Sequence, residues 1–233
     1  VRYSNHTAAR RRHLQPIGFW LHIGDLATMA ADAPPRARLM SAAQVGFTVL
    51  GLAFATLHLA LFLFYPRIRQ NLYFATVTGF GAAMTFVDYQ HDHAPEIDVH
   101  MALFGAIRVL GLLMSCSGLL FIYSVFQQRF PRRFVWYAAV CGVSVIPAFV
   151  APGTTFSWVN ALLLLGLVES VRVVVLAVAR RQPGAWIVGV GYITLAGTAA
   201  YDVLLDVGLF SEIGGFSNAY PYGGVALLLS RSG

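Results

Sequence analysis

Six ionisable side chains fall inside long apolar runs of the chain, and the cost of placing charge there makes them the first candidates for chemistry. Arg108 and Asp202 each lie about seven residues from one end of their runs, a depth of about 10 Å at about 1.5 Å per helical residue. An arginine fork matches a carboxylate, so equal depth predicts an Arg108 to Asp202 pair, with Asp88 as an alternative partner. The carboxylate can equally belong to a bound ligand, although an ion pair that holds helices together is the simpler reading. Deeper in the runs lie Glu169, Arg172 and His58. Glu169 and Arg172, at i and i+3, share a helix face and can neutralise each other, which is simpler than a proton relay through His58.

Other catalytic patterns are missing from the sequence. It has no paired aspartates on facing spans, no His-Glu-x-x-His run and no serine with a positioned histidine, so no enzyme activity, cofactor or metal site is expected in this segment. Cys116 and Cys141 both fall in apolar runs and read as small core residues.

The elements that must position these groups are membrane helices. The chain is 58% hydrophobic and 11% charged, with a mean hydropathy of +0.67. Soluble domains carry about 25% charged residues. All sixteen basic residues are arginine, and the absence of lysine excludes a retinal Schiff base. The net charge of +6 does not point to nucleic acid, because most arginines stand at the ends of apolar runs, where they set topology.

The run Ala43 to Tyr65, the stop Pro66-Arg67-Ile68-Arg69 and the return Leu72 to Tyr89 form a hairpin of two spans. Runs of about 20 apolar residues match a hydrocarbon core of about 30 Å. Four more follow at Met101 to Phe126, Phe134 to Val150, Trp158 to Ala179 and Trp186 to Leu209, and a seventh opens at Asn218-Ala-Tyr-Pro-Tyr-Gly-Gly. Trp136, Trp158 and Trp186 fall where an amphipathic ring prefers the membrane interface. Gly79, Gly81, Gly189, Gly191, Gly197 and Thr198 predict close helix approaches. Pro147 and Pro221 mark helix ends or bends.

Charge alternates between the connections. Those after the first, third and fifth spans carry Arg67, Arg69, Arg129, Arg132, Arg133, Arg180 and Arg181 and no acid. Those after the second, fourth and sixth carry Asp92, Glu96, Asp98 and Glu212 and no arginine. The arginine bias predicts that the first set is cytoplasmic, with the amino terminus outside and the seventh helix heading inward. Arg36 and Arg38 run against it.

Before the spans, Val1 to His6 and Ile17 to Ile23 alternate apolar and polar residues, the pattern of strands with one buried face. Two strands cannot stand alone, so they are expected to close a sheet begun upstream. Asp25 to Met40, with Pro34 and Pro35, reads as a linker. The chain starts at Val1 and stops at Gly233 inside an apolar run, so an internal segment of a longer protein is expected. The domain boundaries that follow are residues 1–32 for the remnant of an outer β domain with its linker and 33–233 for the helices.

The VRYSN strand, the hairpin LFLFYPRIRQNLYFA, the seven spans and the AYPYG opening together resemble the bacterial seven-transmembrane receptors with diverse intracellular signalling modules. The resemblance implies an all-α polytopic protein of the bacterial inner membrane, preceded by the last strands of an extracytoplasmic β-sandwich similar to carbohydrate-binding modules. It also implies a fused cytoplasmic output module, such as a histidine kinase, a nucleotide cyclase or a phosphatase. The expected partners are membrane lipid, a small extracytoplasmic ligand, that module and a second copy of the chain, with no nucleic acid. A small-solute transporter or ion channel is the alternative; it would explain the buried charges, but no internal repeat is visible.

Overall fold

The computed structural model describes residues 26–127, 130–182, 184–206 and 219–232, which form seven α-helices. They are α1 (Leu26–Phe64), α2 (Arg69–Asp92), α3 (Ile97–Phe126), α4 (Arg132–Val150), α5 (Phe156–Ala179), α6 (Ala185–Asp206) and α7 (Tyr220–Ser232). Consecutive helices pack side by side. In addition α3 packs against α5, and α7 returns to touch α1 and α2, closing the bundle. Helix α3 lies at its centre, with Leu112, Leu119, Phe121, Ile122 and Tyr123 essentially inaccessible.

Along the middle of the helices many outward-facing side chains are apolar. Leu63, Val143, Ile146 and Leu165 are exposed, and so are Trp136, Trp158 and Trp186, each within the first turns of its helix. A face of this extent in water would be an aggregation surface; in a bilayer it is the lipid contact, and the helices satisfy their own backbone groups. Among the described residues, five helices are long and apolar enough to cross a membrane: Ser41–Phe64 within α1, the whole of α3, α4 and α5, and Ala185–Leu205 within α6. The chain is a multi-pass membrane protein.

Helix α2 is more polar than a typical span, a departure from the uniform apolar runs expected of all seven. Its polar groups are consumed locally. Thr76 donates to Tyr73 O, Thr78 to Phe74 O and Thr85 to Gly81 O, all within one turn. Threonines that bond back to their own helix cost little in a dry interior, so α2 can be polar and still embedded. It also has neighbours on several sides, α1, α3 and α7.

The linker expected over Asp25 to Met40 is instead helical from Leu26, so α1 extends well before the Ser41–Phe64 span. Five alanines, with leucine, methionine and arginine, favour helix there, against the cost of Pro34 and Pro35, which fit helical φ but withhold two N–H donors and crowd the carbonyls one turn earlier. The expected strands at Val1 to His6 and Ile17 to Ile23, and the loop Phe210 to Ser217 with Glu212, lie outside the described residues.

Among the described residues, one of the tightest approaches falls at Thr198, as expected: a Cβ on Gly223 of α7 would run into Thr198 Oγ1 and fall 2.6 Å from Leu195 Cα of α6. Two others involve glycines the sequence did not mark: a Cβ on Gly166 of α5 would run into Ser115 and Tyr137, and one on Gly105 of α3 would fall 2.7 Å from Phe149 O of α4. Gly189 does meet α5, at Val174 and Val178, whereas Gly197 has nothing within 4 Å.

Candidate functional site

Arg108 is 6% exposed, and its guanidinium sits between two rings. Phe104, one turn earlier on α3, has its centroid 4.7 Å away, and Phe156 at the start of α5 is at 4.4 Å. Nη1 donates to Asn160 Oδ1 at 2.6 Å. Phe156 and Asn160 are at i and i+4, so one face of α5 presents both a ring and an amide to Arg108. Two aromatic faces and one short hydrogen bond fix the plane of the guanidinium. Because arginine has only donors, it sets the orientation of the amide: Oδ1 faces Arg108 and Nδ2 faces away. Asn160 is 2% exposed, and its Nδ2 has no hydrogen-bond partner among the described residues.

Arg108 and Asn160 border a cavity of about 620 Å³ whose walls come from α2, α3, α5, α6 and α7. Asp202 and Asp88 border it too, so all three residues of the first group meet there. The hydrogen bonds described for Asp202 run to the backbone of α7. Its Oδ1 accepts from Ala219 N at 2.8 Å, and its Oδ2 from Ala219 N at 3.0 Å and Tyr220 N at 2.6 Å. The first N–H groups of a helix have no partner in the helix, and a carboxylate there also complements the helix dipole. Pro221 has no N–H to satisfy, and Tyr222 N bonds Ala219 O at 3.1 Å, so Asp202 completes the end of the helix. Pro221 therefore belongs to a helix start. The Tyr220 hydroxyl, 3.4 Å from Thr85 Oγ1, ties the same end to α2.

Helix α2 adds an acidic group to the cavity wall. Asp88, His91 and Asp92 follow one another at i, i+3 and i+4 on α2, and their ligand atoms lie within 4.8 Å of one another. All three border the cavity, and this geometry can hold a cation or an ammonium group. The His91 ring stacks on His100 at 3.7 Å between centroids and stands 6.0 Å from the Phe104 ring. Asp92 lies beyond the expected span, and burial alone would push its carboxyl up. The His91 imidazole 3.7 Å away and the Gln44 amide at 3.0 Å outweigh this and hold its pKa below the ordinary value.

The second group divides. Arg172 grips Glu169 with two bonds, Nε to Oε2 at 2.7 Å and Nη2 to Oε1 at 2.8 Å. Tyr123 of α3 also donates to Glu169, and Arg133 at the start of α4 reaches it at 3.3 Å. One carboxylate thus joins α3, α4 and α5. His58 stands apart from it, between α1 and α2, with Nδ1 3.3 Å from Asn71 Oδ1 and its ring 4.5 Å from that of Phe74. Cys116 and Cys141 are free thiols, the latter buried in the core.

Sequence reasoning missed Asn160, Tyr123 and Arg133. Asn160 carried a signal, a lone amide in the apolar run VNALLLLGLVE. Arg133 was legible only as a topology charge, and Tyr123 looked like any aromatic residue of a span.

No curated protein and no solved structure matches the chain. A family model described as "7TM diverse intracellular signalling" matches residues 41–232, which includes every described residue of the cavity and of the Glu169 cluster. By that match the chain belongs to the 7TM diverse intracellular signalling family, membrane sensor domains linked to intracellular signalling.

Proposed function

We propose that this domain converts an event on the outer face of a bacterial inner membrane into movement of α7, and that α7 passes it to a fused cytoplasmic output module. The observation that carries this reading is the attachment of α7. Its first N–H groups rest on Asp202, and Tyr220 joins it to α2, and both residues border the cavity that holds Arg108. An occupant seated against that part of the wall touches the side chains that hold the start of α7. The alternation of arginine-bearing and acidic connections supports an orientation in which that start faces outside.

A ligand shifts such a bundle only by its difference in affinity for two arrangements, and contacts at the start of a mobile helix supply that difference. The output module is a kinase, cyclase or phosphatase, and the outer β domain is the second place for a stimulus to act. Kinase and cyclase modules work in pairs, which favours a homodimer.

The test is the activity of the output module in membranes of cells that carry the full-length receptor, with and without its stimulus. Asp202→Ala uncouples the two, giving an output that no longer responds. A normal response from that variant would refute the reading. Stimulus-independent uptake of labelled solutes by vesicles holding the protein would favour a transporter instead.

A further inference from the structure

The cavity is long rather than round. Helix α6 packs mainly on α5 and α7, and the space left between it and α2 and α3 is the cavity. It borders α3 from Phe104 to Gly118 and α5 from Asn160 to Ser170, stretches of about 21 Å and about 15 Å at about 1.5 Å per residue. Its volume of about 620 Å³, spread over that length, leaves an average cross-section of about 30–40 Å². At the inner end the Tyr192 hydroxyl closes on Gly118, where a Cβ would fall 3.3 Å from it.

Polarity changes along the same axis. The ionisable side chains of the wall lie toward the end of the bundle at which α7 starts. Beyond Asn160 the wall is Gly111, Met114, Leu163, Leu164, Leu167 and Leu195. Two hydroxyls in this inner part are already committed, Ser115 to the Tyr137 hydroxyl at 2.7 Å and Ser170 to Gly166 O at 2.8 Å. A ligand there meets an apolar shaft.

Asn160 stands where the two parts meet. It is 2% exposed, its Oδ1 is taken by Arg108, and its Nδ2 has no hydrogen-bond partner among the described residues. A buried donor without an acceptor is costly, so an acceptor oxygen placed there is favoured. A small polar molecule would leave the shaft unfilled, and a plain hydrocarbon would fill it but leave Nδ2 unpaired. A carbonyl at the head of a single alkyl chain meets both demands. With bonds of about 1.5 Å at about 111° a chain advances about 1.25 Å per carbon, so the distance from Asn160 to Ser170 takes about twelve carbons.

We propose that the cavity binds a straight-chain acyl compound, its carbonyl oxygen accepting from Asn160 Nδ2 and its chain lying in the shaft toward Ser170 and Tyr192. The inference rests on the sensor reading for its consequence and names the ligand class of that same site. The head group occupies the end of the cavity that Asp202 and Tyr220 border, where the start of α7 is held.

In the experiment, tritiated dodecanamide is titrated into the purified full-length protein in lipid nanodiscs, and the uptake of empty discs of the same lipid is subtracted. Saturable binding is expected. Unlabelled dodecanamide, butanamide, octanamide, hexadecanamide and dodecane then compete, with concentrations counted per lipid. Lipid tails already solvate an alkyl chain, so a preferred length reports fit to the shaft. Dodecanamide is expected to compete better than the shorter and longer amides, and at least about tenfold better than dodecane, the scale of one buried hydrogen bond. Asn160→Asp keeps the oxygen that Arg108 uses and puts a second oxygen where the donor stood, and is expected to remove the advantage over dodecane. Leu167 lies about 10 Å along α5 from Asn160, so Leu167→Trp is expected to move the preferred length toward octanamide, a change that only a folded site can show. No saturable uptake above empty discs, dodecane competing as well as dodecanamide, or either variant binding as the parent does overturns the proposal. The stimulus response of the output module is a separate measurement, so failure here leaves the sensor reading to stand or fall on its own.

Discussion

Replacing Asp202 by alanine removes the acceptor for two backbone N–H groups at the start of α7. A buried donor left without a partner costs about 1–3 kcal/mol. Tyr220 is 9% exposed and bears that cost in full, whereas Ala219 is half-buried and water offsets part of it. Together they give about 2–4 kcal/mol of local destabilisation, on the same scale of about 1–3 kcal/mol per donor. At about 1.4 kcal/mol per factor of ten, this is about a 30-fold to 700-fold increase in local opening. Asp202→Asn keeps an acceptor oxygen but loses the charge, so its effect is smaller, about 1–2 kcal/mol. The assay is amide hydrogen exchange of the full-length protein in nanodiscs, followed on fragments spanning Ala219 to Val225. Pro221 has no amide, so the signal comes from its neighbours. Unchanged protection of this segment in both variants would refute the assignment of Asp202 as the anchor of α7.

Three further outcomes follow from other contacts. Gly223→Ala pushes a methyl group into Thr198 Oγ1 and the Leu195 backbone and lowers the thermal midpoint by the equivalent of about 1–3 kcal/mol. Gly224→Ala, which meets nothing within 4 Å, is the matched control, and equal midpoints would contradict the close α6 to α7 approach. Glu169→Ala is expected to cost about 1–3 kcal/mol in thermal unfolding, because Tyr123 and Arg172 both lose their acceptor. Arg133→Ala costs under about 1 kcal/mol, since that side chain is 57% exposed, and a larger loss from Arg133 than from Glu169 would invert the cluster. The depressed pKa of Asp92 means that its ionised form is favoured by folding. Its contribution is present above the ordinary carboxylate value of about 3.9 and is lost as pH falls through the lower folded value. Asp92→Asn is therefore expected to flatten the acid side of a stability profile, and an unaltered profile would count against the Gln44 and His91 contacts.

What was legible in the sequence were features that repeat or that stand out against their surroundings. Apolar runs gave the helices, and a depth count along them brought Arg108, Asp88 and Asp202 to one cavity. The i, i+3 spacing paired Glu169 with Arg172. What was not legible depends on backbone groups and on helix rotation. Asp202 meets backbone N–H groups, which carry no signature, and the same Pro221 that looked like a bend removes one of those donors. His58 lies at a depth similar to Arg172, but depth says nothing of which way a side chain faces around the helix, and it faces Asn71. The helical stretch before Ser41 was hidden because two prolines outweighed five alanines in a local reading.

Two attachments determine what motion α7 can make. Asp202 holds its first residues, and the contact of Gly223 with Leu195 clamps it about one turn later. A helix held at two neighbouring points resists sliding along its axis, because a slide of about 1.5 Å, one residue's rise, would break both at once. It can still pivot about them. The 13 residues from Tyr220 to Ser232 span about 20 Å, so a tilt of about 5° at the held end swings Ser232 sideways by about 2 Å. On the proposed reading α7 acts as a lever with its fulcrum beside the cavity, and spin labels at Tyr222 and Ala226 are expected to report a displacement that grows along the helix rather than one shared equally.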